Sequence, residues 1–184
     1  MSQTTLDIRE PGLNVLPPGV ERHVVNAGGL TGLQIFPDDE IEIINEEGNQ
    51  ICEIICFDKD GKSELGILNQ KENCKKSFIK ELLKGKDESS LITNLQLKKR
   101  NLDINKSKSS ILFDEQTPSG EKIKLKSKDK CYVIFAAPQN DMLVSEQNPS
   151  SDLTLFIKRY KITNDKELSI IPDPIYEPNH EENI

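Results

Sequence analysis

Asp38-Asp39-Glu40-Ile41-Glu42-Ile43-Ile44-Asn45-Glu46-Glu47-Gly48-Asn49-Gln50-Ile51-Cys52-Glu53-Ile54-Ile55-Cys56-Phe57 is the stretch whose reading decides the fold of this 184-residue chain. Residues 40–44 alternate charged and apolar side chains, the period-two pattern of a strand with one face in a core. Residues 51–57 are rich in β-branched and aromatic side chains, as strands are. Between them Glu46-Glu47-Gly48-Asn49 is turn chemistry, with Gly48 able to take a positive φ. The stretch therefore reads as a β-hairpin whose turn and second strand bring Asn49, Gln50 and Glu53 close together. Along the second strand Cys52, Ile54 and Cys56 share one face, and Ile51, Glu53, Ile55 and Phe57 share the other. Glu53 among apolar neighbours admits two readings. One is a solvated carboxylate near a sheet edge; the other is a carboxylate held in a cleft, where burial raises its pKa.

Outward from this stretch the strand signals continue. Residues 20–27 and 30–36 read as two strands separated by Gly28-Gly29. Residues 73–83 read as a helix, with Cys74, Phe78, Ile79, Leu82 and Leu83 in an apolar stripe, Asn73 as its cap and Gly85 as its stop. Residues 91–99 are ambiguous, a second short helix being one reading. Residues 107–110 form a polar linker before a strand that starts at Ile111, and Thr117-Pro118-Ser119-Gly120 is a turn. Residues 122–126 alternate Lys with Ile and Leu, an exposed strand with a basic outer face. Residues 131–137 read as a buried strand and residues 153–160 as the last one.

The expected fold class is mainly β (β-rich α+β), a barrel- or sandwich-like antiparallel sheet with one or two short helices. The expected organisation is an irregular segment over 1–19, a single β-rich domain over 20–160, and a proline-rich polar tail or linker over 161–184 that carries Pro172, Pro174 and Pro178.

Hydrophobic residues make up 35% of the chain and charged residues 30%, a polar balance for one domain with tails. The formal net charge of −7 disfavours nucleic acid as a partner, because phosphate contacts need a basic surface. The small basic runs, Lys98-Lys99-Arg100 and the lysines at 122, 124, 126 and 128, read as solvated faces. The apolar runs are too short to span a bilayer, and the first residues lack the basic and apolar regions of a signal peptide, so no membrane partner and a cytoplasmic location are expected. Cys52 and Cys56 sit four apart on a strand, about 13 Å from each other, too far for a disulfide or a shared metal. With Cys74 and Cys131 they read as reduced, buried cysteines.

Other motifs read plainly. Gly28-Gly29-Leu30-Thr31-Gly32 lacks the Lys-Ser/Thr of a phosphate loop and precedes a strand, so it reads as a glycine-rich turn. His23 reads as a strand-end histidine, with a base or ligand role as the alternative; His180 falls in the tail. Ala136-Ala137-Pro138-Gln139-Asn140-Asp141-Met142 is a strand running into a polar loop of the kind that rims sites.

Two separated blocks resemble the urea-carboxylase-associated family, whose better-understood members are zinc-dependent carboxyguanidine deiminases. The first runs from Arg22-His23-Val24-Val25-Asn26-Ala27-Gly28 through residues 40–44 to Glu47-Gly48-Asn49-Gln50-Ile51-Cys52-Glu53, where Glu53 replaces the family's usual Asp. The second is Val133-Ile134-Phe135-Ala136-Ala137-Pro138-Gln139-Asn140-Asp141, with Asn148-Pro149 and residues 153–157 after it; Ala137 replaces the family's Cys. Between residues 58 and 130 there is no histidine, so the middle ligand-bearing segment of the zinc-dependent members has no counterpart. The pattern is similar to a degenerate copy of this domain at the N-terminus of large aminomethyltransferase-like proteins, relatives of the glycine-cleavage T-protein, with Ile171-Pro172-Asp173-Pro174 where their linker falls.

That resemblance implies a non-catalytic associated domain or module of an aminomethyltransferase-like enzyme in amine or one-carbon metabolism. Such a protein or domain would be its partner, and this chain alone would be neither an enzyme nor the holder of a cofactor. The alternative is a zinc-dependent hydrolase acting on C–N bonds of a guanidine- or amide-like molecule; zinc enters only there, with Cys52, Cys56 and His23 as its possible ligands and Glu53 as acid or base. Under either reading a cleft is expected where both blocks converge, formed by Asn49, Gln50, Glu53, Gln139, Asn140 and Asp141 and suited to a small cationic or amide ligand.

Overall fold

A computed structural model of the chain describes residues 16–139 and 150–161. Eight strands occur among them: β1 (Val20–Val25), β2 (Leu30–Ile35), β3 (Glu40–Asn45), β4 (Cys52–Asp58), β5 (Ser109–Phe113), β6 (Glu121–Lys126), β7 (Cys131–Ala136) and β8 (Leu153–Lys158). They form two four-stranded sheets, ordered β1-β8-β3-β6 and β2-β7-β4-β5, and every pairing is antiparallel. The sheets do not close into a barrel. They stack as a sandwich, and the mainly β expectation holds in that form.

The stretch read as a hairpin is instead a corner. β3 pairs with β6 and β8, whereas β4 pairs with β5 and β7 in the opposite sheet. The burial each strand needs explains the split. β3 hides Ile41 and Ile43 and exposes Glu40, so it suits a sheet with one wet face. β4 is buried from Cys52 through Phe57, on both faces, and needs cover on both. A hairpin would have put these unlike strands side by side in one sheet. The corner places Ile41 and Ile43 across the core from Cys52, Ile54 and Cys56. Its loop bonds outward to a neighbouring turn: Asn49 N–H donates to the Thr117 carbonyl (2.7 Å) and Gly120 N–H to that of Asn45 (2.8 Å).

Cover for the outer side of the second sheet comes from α1 (Phe78–Leu82) and α2 (Glu88–Lys99). Ile79, Leu83 and Leu97 from this layer pack with Leu30, Ile55, Phe57, Tyr132 and Ile134 of the sheet in a second core cluster. α1 is shorter than the 73–83 reading. Ser77 caps it, while the Asn73 side chain bonds both main-chain groups of Ile111, accepting at 2.6 Å and donating at 3.1 Å, and so extends the β5 edge. α2 hides Ser90, Thr93 and Leu97 but leaves Leu91, Ile92 and Leu95 exposed, so no apolar stripe announced it. Among the described residues no helix is long and apolar enough to cross a membrane.

Candidate functional site

The approach to β4 holds two consecutive left-handed residues, Gly48 (φ 78°) and Asn49 (φ 58°), which turn the chain so that Gln50 enters the interior. Gln50 is 1% exposed. Its Nε2 donates to the carbonyls of Pro138 (2.8 Å) and Ile51 (3.0 Å), and its Oε1 accepts from the Ser151 N–H (2.8 Å). One side chain thus joins the end of β7 to the approach of β8. Asn45 supports it by donating Nδ2 to the Gln50 carbonyl at 2.8 Å. Gln139 lies on the glycine turn: a Cβ at Gly28 would stand 3.3 Å from its Cγ. Gln50 thus bonds the residue directly before Gln139, and Asn49, the residue before Gln50, is half-buried. Asn140 and Asp141 lie outside the described residues.

Glu53 pairs with Ala136 of β7 and is fully buried. Its carboxylate accepts from the Ser77 hydroxyl (2.6 Å), the Phe78 N–H (2.7 Å) and the Ile79 N–H (3.1 Å). The charge is thus placed on the first turn of α1, where free N–H groups and the helix dipole both favour an anion. The expected shared face with Ile55 and Phe57 is present, and what covers it is a helix.

The ligands considered for zinc do not converge. Cys52 and Cys56 point into the core between the sheets, and burial followed by the neighbouring Glu53 charge pushes the Cys52 thiol up. His23 sits against Glu21 at 3.0 Å. Among the described residues no group of three or more His, Cys, Asp or Glu side chains is gathered as metal ligands.

A cluster that the sequence did not announce surrounds Arg159. Its Nε reaches Glu21 Oε2 at 2.5 Å, and its Nη1 reaches Asp39 Oδ2 and the Gln34 carbonyl at 2.9 and 2.8 Å. The bond from His23 and the Arg159 guanidinium, opposed by burial, hold the Glu21 carboxyl down at about 2. These partners are more than a hundred residues apart in the chain, so no local pattern links them. Ser77, by contrast, stood directly before Phe78 with cap chemistry and was findable.

No family model matches the chain. It resembles a trimethylamine-oxide aldolase. That enzyme, from Ruegeria pomeroyi (strain ATCC 700808 / DSM 15171 / DSS-3), is 32% identical over 171 residues, which cover 93% of this chain and 22% of the aldolase. The chain spans about a fifth of the length of this curated relative. Among solved structures, a DUF1989 family protein from Silicibacter pomeroyi DSS-3 superposes with a TM-score of 0.44 at 12% identity, over 89% of this chain and 87% of that one.

The aldolase overturns the expectation of a non-catalytic accessory module, and with it the reading of the chain as no enzyme: the protein it matches is named for a reaction. The aminomethyltransferase and one-carbon associations have no support in these similarities. The zinc-hydrolase alternative gains nothing from them either.

Proposed function

We propose that this chain acts in an enzyme that cleaves trimethylamine oxide or a closely similar N-methylated amine oxide. The observation that carries the reading is the 171-residue similarity, which runs through 93% of the chain and takes in both sheets. An aldolase releases an aldehyde. From trimethylamine oxide the atoms balance as dimethylamine and formaldehyde. The N–O bond and one C–N bond break, a C=O bond forms on the departing methyl carbon, and one methyl hydrogen ends on nitrogen.

The Gln50 end of the sandwich is our candidate for where the substrate meets this chain. Gln50 and Glu53 spend their polar atoms inside the fold and act by position. Asn49 and the exposed Gln139 are the described residues proposed for the contact surface. Two buried atoms support the choice: Asn45 Oδ1 and Ser151 Oγ lack a partner among the described residues, and both residues bond Gln50. Trimethylamine oxide is net neutral and brings no donor of its own; its N-oxide oxygen accepts, and the Ser151 hydroxyl is the one of the two groups that can donate to it. The urea-carboxylase-associated resemblance enters as a proposal about ancestry, supported by the end of its first block, Glu53 on β4, pairing with Ala136 of its second block on β7.

The test is to follow the methyl resonances of trimethylamine oxide by NMR with the purified protein. Equal yields of dimethylamine and formaldehyde are expected. Unchanged substrate, with no rise in melting temperature when it is added, would overturn the reading.

A further inference from the structure

Where α2 ends, the sandwich holds an arginine in a fixed pose. Arg100 lies over the Tyr132 ring, 4.5 Å from its centroid. Its Nη1 donates to Gln34 Oε1 at 2.7 Å, and Gln34 is itself fixed by donating Nε2 to the Cys131 carbonyl at 2.7 Å. The Tyr132 hydroxyl donates to Gln96 Oε1 on α2. Burial, partly offset by the Arg100 charge, pushes that hydroxyl up to about 12, so the phenol keeps its proton and its bond. The guanidinium is thus oriented from two sides while its other N–H donors have no acceptor among the described residues.

Arg100 borders a half-open cavity of about 310 Å³. Lys59 and Lys130 line it too, and none of the three cations forms an ion pair among the described residues. Asp58 and Asp60 complete the charged lining. Asp58 Oδ1 is committed to the N–H groups of Asp60 and Lys62, each at 2.9 Å, so Asp60 is the carboxylate that competes. In a chain of net charge −7, three cations around one cavity, none in an ion pair among the described residues and one of them pre-oriented, are the opposite of an average surface.

We propose that this cavity binds a small oxyanion, a carboxylate or a phosphate group. Arg100 supplies a bidentate fork and Lys130 a second cation. The planar guanidinium matches two oxygens of either anion, and because stacking and Gln34 already hold it, less rotamer freedom is lost on binding. The site is separate from the Gln50 end and independent of the amine-oxide reading.

Calorimetric titrations with inorganic phosphate and with acetate test it, on the whole chain and on Arg100→Lys, Lys130→Gln and Asp60→Asn variants. Saturable binding of at least one anion is expected. Arg100→Lys keeps the charge but loses the fork and the stack, and should weaken binding about tenfold or more. Asp60→Asn should tighten it. If Arg100→Lys melts early, Lys130→Gln, exposed and outside the core, carries the test. Phosphate alone binding assigns a phosphorylated ligand, acetate alone a carboxylate one, and both support the oxyanion class. No binding of either at about 10 mM, or affinity unchanged in both cation variants, overturns the proposal.

Discussion

Gln50 donates to the Pro138 carbonyl at 2.8 Å, tying the first residue that enters β4 to the last buried residue after β7. The same amide holds Ser151 N–H, so the approaches to β4 and β8 and the exit from β7 depend on one side chain. Replacing Gln50 with Ala removes the donor to the Pro138 and Ile51 carbonyls and the acceptor of the Ser151 N–H. Each stranded group costs about 1–3 kcal/mol and relaxation recovers part of the sum, so a loss of about 3–5 kcal/mol is expected in urea unfolding. Under the amine-oxide reading the variant also loses response to trimethylamine oxide at temperatures where it remains folded.

Glu53 should behave as a helix cap. Glu53→Gln keeps the volume but turns an amide NH₂ toward a site where three donors converge. About 1–3 kcal/mol of stability should be lost, with Ser77→Ala costing about 1 kcal/mol. If Glu53→Gln matches the wild type in urea unfolding, the cap is energetically idle.

Gly48 tests the corner. Its φ of 78° favours glycine, and a Cβ there would stand 2.6 Å from Ser119 N and 2.9 Å from the Thr117 carbonyl oxygen, both main-chain atoms. Main chain cannot swing aside as a long side chain can. Gly48→Ala should therefore cost about 1–3 kcal/mol, whereas Gly120→Ala, with the same sign of φ (79°) but no atom within 4 Å, should cost less. Equal melting temperatures for the two variants would show that the corner yields.

Acid should loosen the Arg159 cluster. Glu21 is held at about 2 in the folded protein against an ordinary 4.5. A depressed folded pKa means stability that is present above about pH 4.5 and lost as pH falls toward about 2, where the folded state must also take up the proton. The carboxylate side chain is 40% exposed, so solvent screening cuts the effect well below its full linkage value. Glu21→Gln should be less stable than the wild type near neutral pH, with the gap closing in acid. A gap that stays constant across that range would remove Glu21 from the acid response.

The chain's own pattern determined that it is mainly β, because strand periodicity is local: alternation at 40–44 and dense β-branched runs at 51–57 and 131–137 need no knowledge of distant residues. It also determined which residues of β4 share a face, since that follows from the pleat alone. Only the tertiary structure decided which strands are neighbours. β3 and β4 are adjacent in the chain yet lie in opposite sheets, because one strand has a face to leave in water and the other has none. It also decided what Glu53 touches. A carboxylate among apolar neighbours is compatible with solvent, with a cleft or with a helix end, and the choice depends on a Ser77 hydroxyl 24 residues away. α2 stayed ambiguous because its larger apolar side chains point outward, and Arg159 stayed invisible because its acidic partners come from β1 and the β2–β3 turn. Pairings that close only when the sheets stack leave no period in the sequence to read.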